Sequence, residues 1–178
     1  QAGARDVVSW AVFLGSLGVS FVGLVALESS QVFGGRSGNR MLSLPYMIAV
    51  GMGLHNLGEG LAIGASYASG EYTLSALLVA GFGLHNGTEG FGIVGAAGKT
   101  PMSWRDVFLL GLIAGLPTCV GTFLSGQGVS SYFSICFYAL AAGSLLYVVL
   151  SLTVMSYTAT RRVQVAAGMF AGISLMYV

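Results

Sequence analysis

The sequence predicts an all-α fold, a polytopic bundle of six membrane-spanning helices. Of the 178 residues, 55% are hydrophobic and only 7% are charged, and the mean hydropathy is +0.83. A soluble globular domain carries about a quarter charged residues. In lipid, a helix satisfies its own backbone hydrogen bonds, and about 20 mostly apolar residues cross the hydrocarbon core. We therefore expect an integral membrane protein with no soluble module.

Six apolar stretches predict the spans, which we place at about 7–27, 44–68, 72–97, 104–125, 131–155 and 163–178. The connections are short apart from the Gly- and Ser-rich segment Glu28 to Met41. Consecutive helices are therefore expected to be antiparallel neighbours in one transmembrane domain of residues 1–178. Because the chain begins with Gln1 and its last apolar stretch is short, we expect a truncated, processed or partly ordered part of a longer protein.

The cations predict the orientation in the membrane. Three connections, 28–43, 98–103 and 156–162, hold or adjoin six of the seven cations: Arg36, Arg40, Lys99, Arg105, Arg161 and Arg162. The opposite side has only Arg5, so the positive-inside rule makes these loops cytoplasmic and both termini of the chain external. We expect a multi-pass protein of the cell (inner) membrane. A net charge of +1 argues against a nucleic-acid partner.

Glycine is abundant, and several glycines are four residues apart on the same helix face. Such pairs occur at Gly60/Gly64, Gly83/Gly87, Gly111/Gly115 and Gly168/Gly172. Small residues at this spacing let helix backbones approach closely. We expect them to mark packing inside the bundle, with the face of a homodimer as the alternative. Pro117 lies within the fourth span and predicts a kink.

Two glutamates and both histidines of the chain lie deep inside spans. Glu59 and His55 are in the second span, and Glu89 and His85 are in the third. An ionised side chain at the bilayer centre costs roughly 2.5 to 3.5 kcal/mol on insertion scales. No lysine or arginine lies in a span centre to form an ion pair. Protonation, water or a metal cation must therefore compensate the carboxylates.

These residues belong to a repeated motif, "GLHNLGEGLAIG" at 53–64 and "GLHNGTEGFGIV" at 83–94. In each copy histidine and glutamate are four residues apart on one helix face, which Asn56 or Asn86 flanks. The two spans are expected to be antiparallel, so the faces can meet near the midplane. Imidazole, carboxylate and amide ligands suit Zn²⁺, Fe²⁺, Mn²⁺ or Co²⁺ rather than Cu⁺, and two carboxylates could bridge two ions. A proton relay without metal is the alternative.

At these residues the sequence resembles the ZIP (Zrt/Irt-like protein) family of divalent metal transporters, in particular its prokaryotic members. That family carries H-N-x-x-E-G in its fourth transmembrane helix and a related motif in its fifth, which "HNLGEG" and "HNGTEG" match. The six spans would correspond to family helices three to eight, with helices one and two not represented. The resemblance implies a first metal position of His55, Glu59, His85 and Glu89, and a second of Asn56, Glu59, Asn86 and Glu89. Many prokaryotic members add a glutamate to the second position where this chain has Leu116, which implies a weaker or empty second position.

The resemblance implies a function in transport and no enzymatic activity. The cargo would be a divalent metal ion, with zinc ahead of Fe²⁺, Mn²⁺, Co²⁺ and Cd²⁺, moving towards the cytoplasm between the second and third spans. One alternative is a metal-binding or regulatory membrane subunit that does not transport. Another is an intramembrane metal hydrolase, which would need a general base and an open coordination position. Every candidate carboxylate is already used as a ligand, which disfavours the hydrolase.

Overall fold

The computed structural model describes residues 2–30, 43–128, 130–158 and 162–176. Six helices account for nearly all of them: α1 Ala2–Ser29, α2 Ser43–Ala68, α3 Tyr72–Gly95, α4 Trp104–Gly126, α5 Ser131–Thr158 and α6 Arg162–Met176. The described residues contain no strand, and the predicted all-α fold is confirmed. Most of the long loop at 28–43, and positions 159–161 of the loop at 156–162, lie outside the described residues, as does the end of the sixth predicted span.

Three of these helices are long and apolar enough to cross a membrane. They are α1 from Asp6, α4 and α5 as far as Ser156, each with a mean hydropathy of 2.1. Helices α2 and α3 have sufficient length, at 26 and 24 residues, but the polar motif and the glycines lower their hydropathy. Helix α6 has 15 described residues. The chain is therefore that of an integral membrane protein, and crossing by α2, α3 and α6 stays a prediction.

The helices do not pack in chain order. Helix α2 is central and packs mainly against α4, with further contacts to α5 and α3, while α1 packs mainly against α5. The prediction that consecutive helices are neighbours is therefore wrong for most pairs. It holds for α2 and α3, whereas α1 barely contacts α2, α3 barely contacts α4, and α5 barely contacts α6.

Glycine explains why α2 packs so closely against α4. A Cβ atom added to Gly60 or Gly64 would lie 2.1 or 2.2 Å from the carbonyl oxygen of Thr118 or Thr122. Gly53 faces the Ile113 carbonyl at 2.3 Å in the same way. No real side chain tolerates such distances, so only glycine permits the contact. Residue numbers rise together along both helices, which therefore run parallel.

Proline and glycine meet at one point of this interface. Pro117 has no N–H, so the carbonyl of Ile113, one turn earlier, lacks its helical donor. Gly53 lies against this freed carbonyl, and the Pro117 ring would be 3.3 Å from a Cβ on that glycine. The interface thus covers the turn that proline perturbs.

Only one of the four predicted glycine pairs packs against another helix. Gly60/Gly64 does so, as described above. The other three pairs, Gly83/Gly87, Gly111/Gly115 and Gly168/Gly172, have nothing within 4 Å of an added Cβ. The prediction of internal packing is therefore wrong for them, because those faces of α3, α4 and α6 meet no other described helix.

A hydrogen bond aligns the starts of α2 and α4. The Tyr46 hydroxyl donates to Asp106 Oδ1 at 2.9 Å. Asp106 also forms a capping box with Ser103, the residue before α4: the Ser103 hydroxyl accepts from the Asp106 N–H, and the Ser103 N–H donates to the Asp106 carboxylate. Such a box satisfies two backbone donors at a helix start. The start of α4 is therefore defined both by its own cap and by its bond to α2.

Candidate metal centre

The structure brings both halves of the repeated motif together between α2 and α3. His55 and Glu59 lie one turn apart on α2, and His85 and Glu89 lie one turn apart on α3. One ligand atom from each of His55, Glu59 and His85 lies within 4.8 Å of the other two. The two imidazole rings meet edge to face, with their centroids 6.2 Å apart.

The distances between nitrogen and oxygen atoms match those expected around a metal ion. His55 Nε2 lies 3.6 Å from Glu59 Oε1 and 4.0 Å from Glu89 Oε1. His85 Nε2 lies 3.9 Å from Glu59 Oε1 and 3.0 Å from Glu89 Oε1. Ligand atoms about 2.1 Å from a tetrahedral zinc ion are about 3.4 Å apart. The four side chains can therefore hold one ion with small adjustments.

Glu89 lies beside the group formed by the other three residues rather than within it. Its Oε1 atom is close to His85 and at the edge of reach of His55. Its other oxygen, Oε2, is buried and has no hydrogen-bond partner. Asn56 and His85 are the polar side chains that lie beside the Glu89 carboxylate.

Burial differs between the carboxylates and the imidazoles. The Glu59 and Glu89 side chains are 6% and 8% exposed, whereas those of His55 and His85 are 19% and 29% exposed. In the described part of the chain, the charged partners of both glutamates are these histidines. A buried carboxylate without a cation is costly. The centre is therefore rich in negative charge and is open on the side of its imidazoles.

The two asparagines of the motif have different partners. Asn86 Nδ2 donates to Glu59 Oε2 at 3.0 Å, which links α3 to α2. Asn56 Nδ2 donates to the carbonyl of Ala114 at 3.0 Å, which links α2 to α4. The sequence places both asparagines beside the ligands, but spacing alone did not reveal these donor roles or the part played by Ala114. In the sequence, only Pro117 indicated that the helical hydrogen bonds of α4 are perturbed near Ala114.

Three oxygen atoms in this region are buried without a hydrogen-bond partner: Asn56 Oδ1, Asn86 Oδ1 and Glu89 Oε2. Leaving a buried acceptor unpaired costs about 1 to 3 kcal/mol, and native structures contain few such atoms. They belong to residues of the predicted second metal position. Amide and carboxylate oxygens are ligands of divalent cations, so the chemistry of these atoms fits an ion bound by oxygen.

Leu116 lies away from this polar group. It is 56% exposed and lines an apolar groove of about 410 Å³ between α2 and α4, together with Leu57 and Pro117. Leu57 is two residues from both His55 and Glu59, about 200° around the helix from each. The groove is therefore on the opposite face of α2, and Leu116 contributes nothing to the centre.

Among curated proteins, the chain is similar to the human protein "Zinc transporter ZIP4". The two are 34% identical over 131 residues, which cover 71% of this chain but only 20% of ZIP4. The chain thus spans about a fifth of the length of this relative. No protein-family model matches the chain, and no solved structure matches it. The similarity supports a relationship with the ZIP family.

Proposed function

We propose that this chain is the metal-binding part of a ZIP-type transporter, which moves divalent transition metal ions across the membrane towards the cytoplasm. The convergence of His55, Glu59, His85 and Glu89 between two helices carries the proposal. The similarity to a protein named as a zinc transporter supports zinc as the cargo. Membership of the prokaryotic type and correspondence to family helices three to eight are parts of the same proposal.

The ligands favour zinc at the first position. Two imidazole nitrogens and two carboxylate oxygens form the mixed set that zinc binds with tetrahedral geometry. Fe²⁺, Mn²⁺, Co²⁺ and Cd²⁺ are the competing ions. The second position would use oxygen atoms alone, from Asn56, Glu59, Asn86 and Glu89, and oxygen ligands suit harder ions.

The two carboxylates provide the charge that a divalent ion needs after it has lost its water. Glu59 and Glu89 together carry two negative charges when ionised, which balance one divalent cation. The ion would enter from outside, exchange water for the four ligands, and leave towards the cytoplasm. Imidazoles and carboxylates bind metal only when deprotonated, so protons compete with the ion.

Two groups of helices could move against each other to open the site to one side and then the other. Helices α2 and α4 touch through their backbones, and α3 is attached to α2. Helices α1 and α5 form the second group: Gly143 faces the carbonyl of Leu17, and Ser20 donates to the carbonyl of Leu140 at 2.7 Å. Between the groups, the atoms of α5 nearest to an added Cβ on Gly51 or Gly58 belong to side chains, and the Ser144 carbonyl oxygen lies farther away, at 3.6 Å from the Cβ on Gly51. Side-chain contacts yield more readily than backbone contacts, so we propose sliding between α2 and α5.

The orientation predicted by the positive-inside rule completes the proposal. All six helices would cross the cell (inner) membrane, with the loops at 28–43, 98–103 and 156–162 in the cytoplasm and the ends of this chain outside. A homodimer stays a prediction. We assign no enzymatic activity, because the carboxylates that could act as a general base are ligands.

Uptake of zinc by purified full-length protein in proteoliposomes tests the proposal. Glu59→Ala and Glu89→Ala, made separately, should each abolish most of the uptake, because each removes a buried ligand and a balancing charge. Glu71→Ala is the control, since Glu71 is an exposed glutamate at the start of α3 that caps no backbone group. Unchanged uptake in both ligand variants would refute the site. A wild-type protein that binds zinc without transporting it would favour the regulatory subunit instead.

A further inference from the structure

Asn86 controls which oxygen of Glu59 faces the imidazoles. Its Nδ2 atom donates to Glu59 Oε2 at 3.0 Å. An ionised carboxylate only accepts hydrogen bonds, so the asparagine must present its NH₂ group rather than its oxygen. The other carboxylate oxygen, Oε1, lies 3.6 Å from His55 Nε2 and 3.9 Å from His85 Nε2. One oxygen of Glu59 is thus hydrogen-bonded to Asn86, and the other faces the two imidazoles.

The repeated motif makes this arrangement asymmetric. Asn56, the equivalent of Asn86, donates to the Ala114 carbonyl on α4 and is 2% exposed. Glu89, the equivalent of Glu59, has a buried Oε2 atom without a hydrogen-bond partner. Asn56 therefore bonds the backbone of α4 and lies beside the Glu89 carboxylate, whereas Asn86 bonds the Glu59 carboxylate directly.

We propose that Asn86 is a positioning residue that keeps Glu59 a one-oxygen ligand, and that it thereby favours zinc over larger divalent ions that seek oxygen, such as Mn²⁺. The inference rests on the proposed function of the centre. Zinc in proteins is satisfied by four ligands. Larger and harder ions take more oxygen ligands, often both oxygens of one carboxylate. The hydrogen bond from Asn86 uses a lone pair of Oε2 and holds the carboxylate in one orientation, which disfavours binding of an ion through both oxygens of Glu59.

A direct ligand role for Asn86 at the first metal position, which the zinc titration measures, predicts a different outcome from a positioning role. Asn86→Asp has nearly the same shape and keeps an oxygen, but it loses the hydrogen-bond donor. If Asn86 bound the ion through Oδ1, this variant would bind zinc as tightly as the wild type or more tightly. If Asn86 positions Glu59, the variant should bind zinc more weakly and should discriminate less against manganese.

The experiment is a titration of full-length protein in detergent with Zn²⁺ alone and with Mn²⁺ alone. Loss of a group that orients a metal ligand typically lowers affinity 10- to 100-fold. We expect Asn86→Asp to weaken zinc binding by about tenfold or more and to reduce the ratio of zinc to manganese affinity. The visible spectrum of Co²⁺ bound to Asn86→Asp should also differ from that of the wild type, because this spectrum reports the coordination geometry. Asn86→Gln, which retains a donor, should recover part of the selectivity.

Tyr46→Phe is the control outside the metal centre. The Tyr46 hydroxyl donates to Asp106 at the starts of α2 and α4, so its removal should lower the thermal unfolding midpoint and leave the ratio of zinc to manganese affinity unchanged. An Asn86→Asp protein with wild-type zinc affinity, metal ratio and Co²⁺ spectrum would overturn the positioning role while leaving the metal centre intact. A wild-type protein that binds no zinc would overturn the proposed function as well.

Discussion

Gly60 lies so close to α4 that a Cβ atom on it would come within 2.1 Å of the Thr118 carbonyl oxygen. Gly60 directly follows Glu59 and ends the first H-N-x-x-E-G motif. The motif therefore has two faces: one carries the proposed ligands towards α3, and the other packs closely against α4. Gly90, the equivalent glycine of the second motif, has nothing within 4 Å of an added Cβ.

We expect Gly60→Ala to destabilise the protein and Gly90→Ala to leave its stability unchanged or slightly higher. Overpacking a core typically costs 1 to 3 kcal/mol, and a backbone carbonyl cannot move aside as a side chain can. At Gly90 the added methyl group meets no neighbour, and alanine is favoured over glycine inside a helix by about 1 kcal/mol. Thermal unfolding in detergent measures both variants. Equal effects at the two positions would contradict the packing described for α2 and α4.

The helix bounds and the pairing of the two histidine–glutamate faces could be predicted from the sequence. Apolar length sets a span, so the third span was expected at about 72–97 and α3 occupies Tyr72–Gly95. Helical geometry sets the spacing of four that places His85 above Glu89. A short connection made α2 and α3 neighbours, which brought the two motif faces together.

The partners of α2 beyond α3 could not be predicted in the same way. Glycine pairs four residues apart look alike in sequence, and only the arrangement of the helices decides that Gly60 meets a carbonyl while Gly87 meets nothing. Asn56 and Asn86 occupy equivalent positions in the two motifs, but their Nδ2 groups donate to different acceptors. The reason is that α4 packs closely against α2 and barely contacts α3. These features depend on contacts between distant segments, which periodicity does not encode.

Zinc should stabilise the folded protein. A ligand that binds only the folded state adds about 2.7 kcal/mol at a concentration of 100 times its dissociation constant. We expect zinc to raise the unfolding midpoint of the wild type, and a chelator to reverse the rise. His55→Ala and His85→Ala should each reduce the shift, because each removes a nitrogen ligand while both carboxylates remain. A full shift in both histidine variants would contradict the proposed ligands.

Zinc binding should weaken as the pH falls. The ligands must lose their protons before they bind a metal ion, so a rising proton concentration competes with zinc. We therefore expect the affinity for zinc to fall steadily as the pH is lowered from about 7.5 to about 5.5. Titrations with zinc at a series of pH values measure the affinity. An affinity that stays constant over this range would argue against imidazole ligands.

Leu116→Glu should not create an additional metal ligand. Its side chain lies in the apolar groove on the face of α2 opposite His55 and Glu59. A carboxylate there would meet apolar side chains and lipid, which we expect to lower stability by about 2 to 3 kcal/mol, as for a charge near the bilayer centre. The number of zinc ions bound per chain, measured by elemental analysis, should match the wild type. An extra ion bound by the variant would place residue 116 beside the centre and contradict the groove.

A disulfide between the two helix groups should stop transport without stopping zinc binding. A Cβ on Gly58 of α2 would lie 2.7 Å from the Ala141 Cβ of α5, and a small shift would reach the 3.5 to 4.5 Å that is usual between bridged Cβ atoms. We expect oxidised Gly58→Cys/Ala141→Cys, in a background with Cys119 and Cys136 replaced by serine, to bind zinc but to lose uptake in proteoliposomes. A reducing agent should restore the uptake, and each single cysteine variant serves as a control. If the oxidised protein transports at the rate of the reduced protein, α2 does not slide along α5 during transport.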